Sequence, residues 1–486
     1  MTDPAPGPGV QRGRFLVLGL LLLFVPLFRA SNRPLPLLVA ELLSLGLLLY
    51  TLRFPPQRLP LPRGLWLAGG LILLVPLLQL LPLPGGLWQH LPGQAHYYQA
   101  LQTAGVVPDT RPLSLIPYAT EQAWLRLLLP IAVFLVAIGL PTERLRRLGL
   151  LLIAMAAGQA LLGLLQIGDG ADSPLRFGNR LMGDSAVGTY VNRNHLAGLL
   201  IMSLPMVLGM LAASVGRGDT DSSEHTLRQR LASLGGLRYH RLLIYAALTL
   251  VILIGLVFTR SRAGIGLGML GILLAAMLFA HRLGGRNVYG LLGTVLALGL
   301  VAAVEIGLAP VLERFSGADA LDDERWEINA ATLHTIGEFF PLGSGMGTYP
   351  EVFRRFQPQT VPGFINRAHN DFLEWLSGGG LPIAVALVLI LWEYCRRWPR
   401  VLDGEAWTRF HFLQVGAGLG LLLIGLHSLV DFNLHIPANA TYCALLAALF
   451  WHPYQPPAQR RRRRRAGALP EPPPASSEAI PNPFAD

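Results

Sequence analysis

Long apolar runs, separated by short stretches rich in Arg, Pro and Gly, dominate this chain. Runs of roughly 16–21 residues are long enough to cross a hydrocarbon core as helices. Taken in order they predict about twelve helices, near 15–28, 35–51, 65–82, 124–140, 148–167, 195–214, 241–258, 263–281, 288–307, 381–395, 412–430 and 436–452. The segment 308–380 is too long for a simple connector, and its Arg325–Phe340 stretch has the pattern of an amphipathic helix. The expected fold is therefore an all-α polytopic membrane protein. Nine spans fall within 1–307, a long loop with short helices within 308–380, three spans within 381–455, and a disordered Arg/Pro-rich tail within 456–486.

Arginine positions orient this array. Arg53, Arg58 and Arg63, then Arg144, Arg146 and Arg147, then Arg217 to Arg241, then Arg282 and Arg286, then Arg396 to Arg409 fall in alternate loops. Arg12, Arg14 and the run Arg460–Arg465 share their side. The positive-inside rule makes that side cytoplasmic, with both termini inside. Arg29-Ala30-Ser31 is a poor cleavage site, so the first run reads as a retained helix. The loops at 83–123, 168–194, 259–262, 308–380 and 431–436 then lie outside.

Composition agrees with this picture and narrows it. Apolar residues make up 52% of the 486 and charged residues only 14%. The net charge is +10 and the chain contains no lysine. No soluble basic domain is present to use that charge on nucleic acid, so the arginines read as topology signals. Cys395 and Cys443 cannot form a disulfide framework, and a cysteine metal site is excluded.

Against this topology, several charged residues on the outer side stand out. Arg193 precedes the run that starts at His195, beside a helix N-terminus with Asn192, Asn194 and His195 as further hydrogen-bonding groups, and Asn192 and His195 are expected to join it in binding substrate. An arginine at a helix N-terminus suits an anion, phosphate above all, although an interfacial arginine also reaches lipid head groups as a matter of course. Arg260 and Arg262 occupy a tight outer turn where the positive-inside rule disfavours them, next to Gly264, Gly266 and Gly268. His369 is followed by Asn370, Asp371 and Glu374 just before a span. Histidine is well suited to proton transfer near neutral pH, and Asp371 or Glu374 is a candidate to orient it.

Other patterns carry less. Asp219-Thr220-Asp221 has metal-site spacing but falls in a cytoplasmic loop, and Asp322-Asp323-Glu324 lies outside as a weak cation candidate. Gly343-Ser344-Gly345 lacks the lysine of a phosphate-binding loop. Glu41 is a carboxylate within the second run, costly in a membrane and flagged as functional without a chemistry. No metal and no cofactor is expected.

YVNRNHLAGLL, FTRSRAGIGLG, RWEINAATLHTIGEFFPLGSGMGTY, RAHNDFLEWLSGGGLP and HSLVDFNLHIP occur in that order, after RPLSLIPYATEQAW. Together, over roughly residues 110–450, they resemble the O-antigen ligase and polymerase family of bacterial envelope glycosyltransferases. The resemblance implies a GT-C-like helical fold in the inner membrane. It also implies a glycan donor on undecaprenyl pyrophosphate and transfer on the periplasmic face without a nucleotide sugar; fixed guanidinium groups and helix N-termini can stabilise the leaving pyrophosphate without a metal. The family's pyrophosphate-binding arginines match Arg193 and Arg262, and its loop histidine matches His369, the expected general base. Arg260 has no firm counterpart, and the polyarginine tail departs from the family core. The acceptor implied is lipid A-core for a ligase, a growing O-antigen or exopolysaccharide chain for a polymerase, or a protein. A transporter of lipid-linked sugars is the alternative from another class; no internal repeat supports it.

Overall fold

The computed structural model describes residues 7–55, 59, 61–106, 109–179, 183–215, 237–283, 293, 320–403 and 407–454. Twelve longer helices among them are labelled here in chain order. They are α1 (Pro8–Phe24), α2 (Pro34–Arg53), α3 (Arg63–Gln79), α4 (Pro117–Ile138), α5 (Thr142–Asp169) and α6 (Arg193–Val215), followed by α7 (Leu237–Phe258), α8 (Arg262–Leu283), α9 (Ala320–Phe339), α10 (Asp371–Leu402), α11 (Arg409–His427) and α12 (Pro437–Trp451). Eight of them, α2, α4 to α8, α10 and α11, are long and apolar enough to cross a membrane; α3 is a shorter apolar helix. The chain is an all-α polytopic membrane protein. The run near 288–307 apart from residue 293, the triplet at 219–221 and the tail from 455 lie outside the described residues.

Helices α6 and α11 form the centre, 94% and 78% buried over their most apolar windows. Small residues allow their backbones to approach closely. A Cβ at Gly416 would sit 2.6 Å from Met206 Cα, and one at Gly420 2.5 Å from the Met202 carbonyl oxygen. In a membrane, where no hydrophobic effect separates helix from lipid, this close packing supplies the association energy. Peripheral α2 instead turns Leu35, Leu42 and Leu49 outward, one stripe at seven-residue spacing, as a lipid-facing helix does.

Two features differ from the sequence reading. The expected span at 381–395 is the second part of a helix that starts at Asp371, so the loop boundary drawn at 380 falls inside α10. The early turns were hidden because Asp371, Glu374, Ser377 and three glycines interrupt the apolar pattern. Gly380 (φ 59°) breaks the helix there, and the N–H of Leu381 donates to the Pro341 carbonyl at 2.8 Å. The glycine turn of Gly343-Ser344-Gly345 packs on this break: a Cβ on Gly343 would lie 2.3 Å from the Gly378 carbonyl oxygen. That turn is a backbone contact, as its lack of a phosphate-loop lysine suggested. Buried Gln79 of α3 clamps it, donating to Gly378 at 2.8 Å and accepting from Met346 N–H at 2.9 Å. The second difference is a short hairpin, Pro82–Pro84 against Thr110–Pro112, in the loop after α3.

Between α9 and α10 the chain builds a small core of its own from Ile328, Tyr349, Phe353, Val361 and Ala368. Tyr349 and Thr332 share a hydrogen bond of 2.9 Å inside it. This core anchors the residue immediately before His369.

Candidate functional site

Three helices start at one end of the bundle, each behind a capping side chain. The Asn192 Oδ1 accepts from the Asn194 N–H at 2.8 Å and opens α6. The Ser261 hydroxyl accepts from the Gly264 N–H at 3.2 Å and opens α8. The Asn370 Oδ1 accepts from the Phe372 and Leu373 N–H groups, both at 3.1 Å, and opens α10. Each helix thereby turns its positive dipole end toward the same region. The starts of α6 and α8 lie side by side, since a Cβ on Gly264 would meet Ala197 Cβ at 2.6 Å.

One half of the region is built from arginines. Arg260, in a left-handed conformation (φ 51°), donates to Asp184 at 2.9 Å. Arg193 donates to the Ser185 hydroxyl at 3.2 Å, and Arg262 is the first residue of α8. Burial raises the Asp184 carboxyl, but the Ser185 hydrogen bond and the nearby Arg260 and Arg193 hold it below the usual carboxylate range. The Asp184 side chain is 59% exposed, so this acidic partner sits at the rim, not within the core. The loop carrying it is held from beneath by buried Arg176, which donates to the carbonyls of Gly170 at 3.0 Å and Gly183 at 2.8 Å.

The other half is a network of histidines and carboxylates. Asp431, in the connector between α11 and α12, is 1% exposed. Its Oδ2 accepts from Asn194 at 2.6 Å, while its Oδ1 faces His195 Nε2 at 3.8 Å and His369 Nδ1 at 4.0 Å. The Phe432 ring lies edge-on to both imidazoles, with centroids 4.8 Å from His195 and 5.1 Å from His369. Burial lowers the affinity of His369 for a proton, and Asp431 only partly restores it, so the ring favours the neutral form. Burial raises Asp431, but His195, Arg325, His427 and His369 bring it below the usual range, so it stays ionised. His369 also sits in the left-handed region (φ 53°), a strained state for a non-glycine residue, with its side chain 26% exposed. A neutral imidazole, partly open and faced by an anion that favours its protonated form, has the properties of a general base.

The arrangement revises one sequence expectation. Asp371 and Glu374 do not hold His369; both contact His435, at 2.5 Å and 3.0 Å. The carboxylate facing His369 is Asp431. Being three residues apart, Asp371 and Glu374 share a face of the first turn of α10, and that face meets the connector. The two halves meet on the first turn of α6, which carries Arg193 and Asn192 on the arginine side and His195 on the histidine side. His195 is only 4% exposed, so it belongs to the buried network and not to an open binding surface. Sequence reasoning missed Asp431, His435, His427 and Arg367. For Asp431, His427 and His435 a signal was present: one Asp and two His in nine residues bounded by apolar runs is an unusual density for a short connector.

Glu41 lies within the field of Arg126 of α4, with its Oε1 buried and without a hydrogen bond. Among the described residues no group of His, Cys, Asp and Glu is arranged to hold a metal ion.

Residues 247–388 match the family model described as O-antigen ligase. The match takes in Arg260, Arg262, His369, Asp371 and Glu374 and bears out the resemblance read from the sequence. No curated protein matches the chain. The domain and the apolar helices together make this a multi-pass bacterial membrane protein of glycan transfer in O-antigen biosynthesis, with the bilayer and lipid-linked glycans as its surroundings.

Proposed function

We propose, for a chain that carries an O-antigen ligase domain, that it transfers a glycan from undecaprenyl pyrophosphate to an acceptor hydroxyl at the end of the bundle where α6, α8 and α10 begin. The arginine bias of the loops supports placing this end in the periplasm and both termini in the cytoplasm. His369 removes the acceptor proton as the oxygen forms its bond to the anomeric carbon. The bond from that carbon to the pyrophosphate oxygen breaks, and the pyrophosphate leaves with the electron pair. Asp431 stabilises the imidazolium that results. Arg193 and Arg262, with Arg260 contributing less, receive the charge growing on the leaving group, helped by the N-termini of α6 and α8. Asp184 at the rim is the anion that the pyrophosphate displaces from Arg260. Fixed guanidinium groups supply this stabilisation, so the reaction proceeds without a metal.

The observation that carries the reading is the convergence of a partly open His369, faced by Asp431, and the arginines Arg193 and Arg260 on the two sides of one helix start. Ligase and polymerase differ in the acceptor, and both use this chemistry. The test is transfer from a synthetic undecaprenyl-pyrophosphate oligosaccharide by the purified protein in nanodiscs, with a chelator present. Donor turnover that requires His369 and survives the chelator supports the reading. Transfer that depends on an added divalent ion, or no transfer alongside measurable transport of the donor across a vesicle membrane, overturns it.

A further inference from the structure

His435 lies outside the reaction above, yet its ring, 16% exposed, stands between two buried carboxylates. Its Nδ1 is 2.5 Å from Asp371 and its Nε2 3.0 Å from Glu374. Asp371 is 0% exposed and Glu374 4%. Arg367 adds a second cation, bonding to Glu374 at 2.6 Å. With both carboxylates ionised, the charges balance when His435 and Arg367 are both charged, and an uncompensated buried charge is strongly destabilising. The groups facing His435 are these two carboxylates of α10, Arg367 of the preceding loop, and the Trp375 ring at 5.9 Å.

The clasp sits where the connector meets the start of α10. The Asp371 N–H donates to the Ser428 carbonyl at 2.9 Å, and Asp371 Oδ2 accepts from the Leu434 N–H at 2.9 Å. Asn370 donates to the Leu429 carbonyl at 2.9 Å. Asp431 lies between these tie points and His369 lies two residues before Asp371. The distance between base and carboxylate is therefore set by how the connector is pinned.

We infer that His435 is a positioning residue of the transfer reaction, acting as a doubly bonded imidazolium that pins the 428–436 connector to α10 and so holds Asp431 opposite His369. This rests on the reading of His369 as the base. Loss of the His435 proton leaves two carboxylates facing a ring that donates only one hydrogen bond, and the connector loosens. Burial opposes the charged ring, but Glu374 and the hydrogen bonds to both carboxylates raise its pKa above the ordinary histidine value. A histidine whose folded pKa is raised contributes stability that is full below about 6.5, its unfolded value, and is lost as pH climbs through the folded value. The activity therefore has two limbs: an acid one where His369 gains a proton, and an alkaline one where His435 loses its own.

The test uses the full-length protein in nanodiscs with ¹³C-labelled histidine. The His435 resonance, assigned by its loss in His435→Gln, is expected in the charged form at neutral pH and to titrate on the alkaline side. Asp371→Asn should move that titration to lower pH. The melting temperature of the wild type should fall with alkaline pH, and that fall should be smaller in His435→Gln. Transfer by His435→Gln should lose about 10²-fold in kcat, the scale of an ångström-level misplacement, with donor KM unchanged and the alkaline limb gone. His435→Arg, which restores the charge, should recover part of that loss. A neutral His435 at neutral pH overturns the proposal, as does a His435→Gln enzyme that keeps the wild-type kcat and alkaline limb. If the wild type shows no transfer, the glycosyl-transfer reading fails instead, while the resonance and melting arms still decide the state of the clasp.

Discussion

The two ends of the bundle use the same residue types for opposite purposes. At the end where α10 and α12 finish, arginines donate to carbonyls left open at helix C-termini. Arg397 bonds to the carbonyls of Phe450 at 3.1 Å and His452 at 2.6 Å, Arg282 to that of Leu402, and Arg14 to that of Phe54. Gln414 adds a bond to the Leu449 carbonyl at 3.0 Å, and His452 meets the Leu140 carbonyl at 3.1 Å. Cations at C-terminal dipole ends are electrostatically matched, and their hydrogen-bonding capacity is taken up by the backbone. At the other end several cations stand at helix N-termini, where the dipole repels them, and three of them have carboxylate partners: Arg260 with Asp184, Arg367 with Glu374, His435 with Asp371 and Glu374; Arg193 donates to the Ser185 hydroxyl, and Arg176 to carbonyls of the loop. Cations placed against the local field require anions. On that argument one end holds the fold together and the other is suited to an anionic substrate.

Changes at the two ends should therefore separate activity from stability. The largest effect belongs to His369. A general base contributes typically ~10²–10⁴-fold, so His369→Ala should reduce transfer by that factor while donor binding, measured with labelled lipid-linked glycan, persists. Lost donor binding in a folded His369→Ala protein would instead assign the ring to substrate binding. Next comes Arg262. Arg262→Ala and Arg262→Lys should both cost about 1.5–3 kcal/mol of transition-state binding, the range of a hydrogen bond to a charged group, because lysine lacks the planar fork. Near-normal kcat/KM in the lysine variant would show that bare charge is sufficient.

A third change tests the pairing within the site. Protonation of His369 removes the base, so the rate falls as pH drops through a pKa that burial already sets below the ordinary histidine value. Asp431 raises that pKa, so Asp431→Asn should shift the acid limb to lower pH and lower the plateau. A limb that stays in place in the pH–rate profile would separate Asp431 from His369. The smallest effect on activity is expected at the opposite end. Arg397→Ala should lower the melting temperature yet leave transfer per folded molecule unchanged.

How much of this was readable in the sequence follows from which interactions are local. Apolar runs are local, and those at α1 to α8, α11 and α12 mark their helices. The start of α10 was missed because its first turns are polar and glycine-rich, although Asn370 followed by Asp371 and Glu374 is the signature of a capped, acidic helix start. Arg260 and Arg262 were readable as arginines where the topology rule disfavours them, and Arg193 as an arginine beside a helix N-terminus. The density of Asp431 and His435 in a short connector was visible, but their partners were not, because they meet residues some sixty positions earlier in the chain and no local pattern encodes that meeting. The same reason applies to Asp371 and Glu374, whose direct partners are His435 of the distant connector and, for Glu374, also Arg367 and the Ala368 N–H.

The contrast between the two ends is tested most directly by one paired assay. His369→Gln and Arg397→Gln are purified in nanodiscs, matched for folded protein and donor binding, and given the same undecaprenyl-pyrophosphate oligosaccharide. The account predicts that His369→Gln transfers almost nothing, since an amide accepts a hydrogen bond but takes no proton, while Arg397→Gln transfers at the wild-type rate. Transfer by His369→Gln at the wild-type rate, or its loss in a fully folded Arg397→Gln, would contradict it.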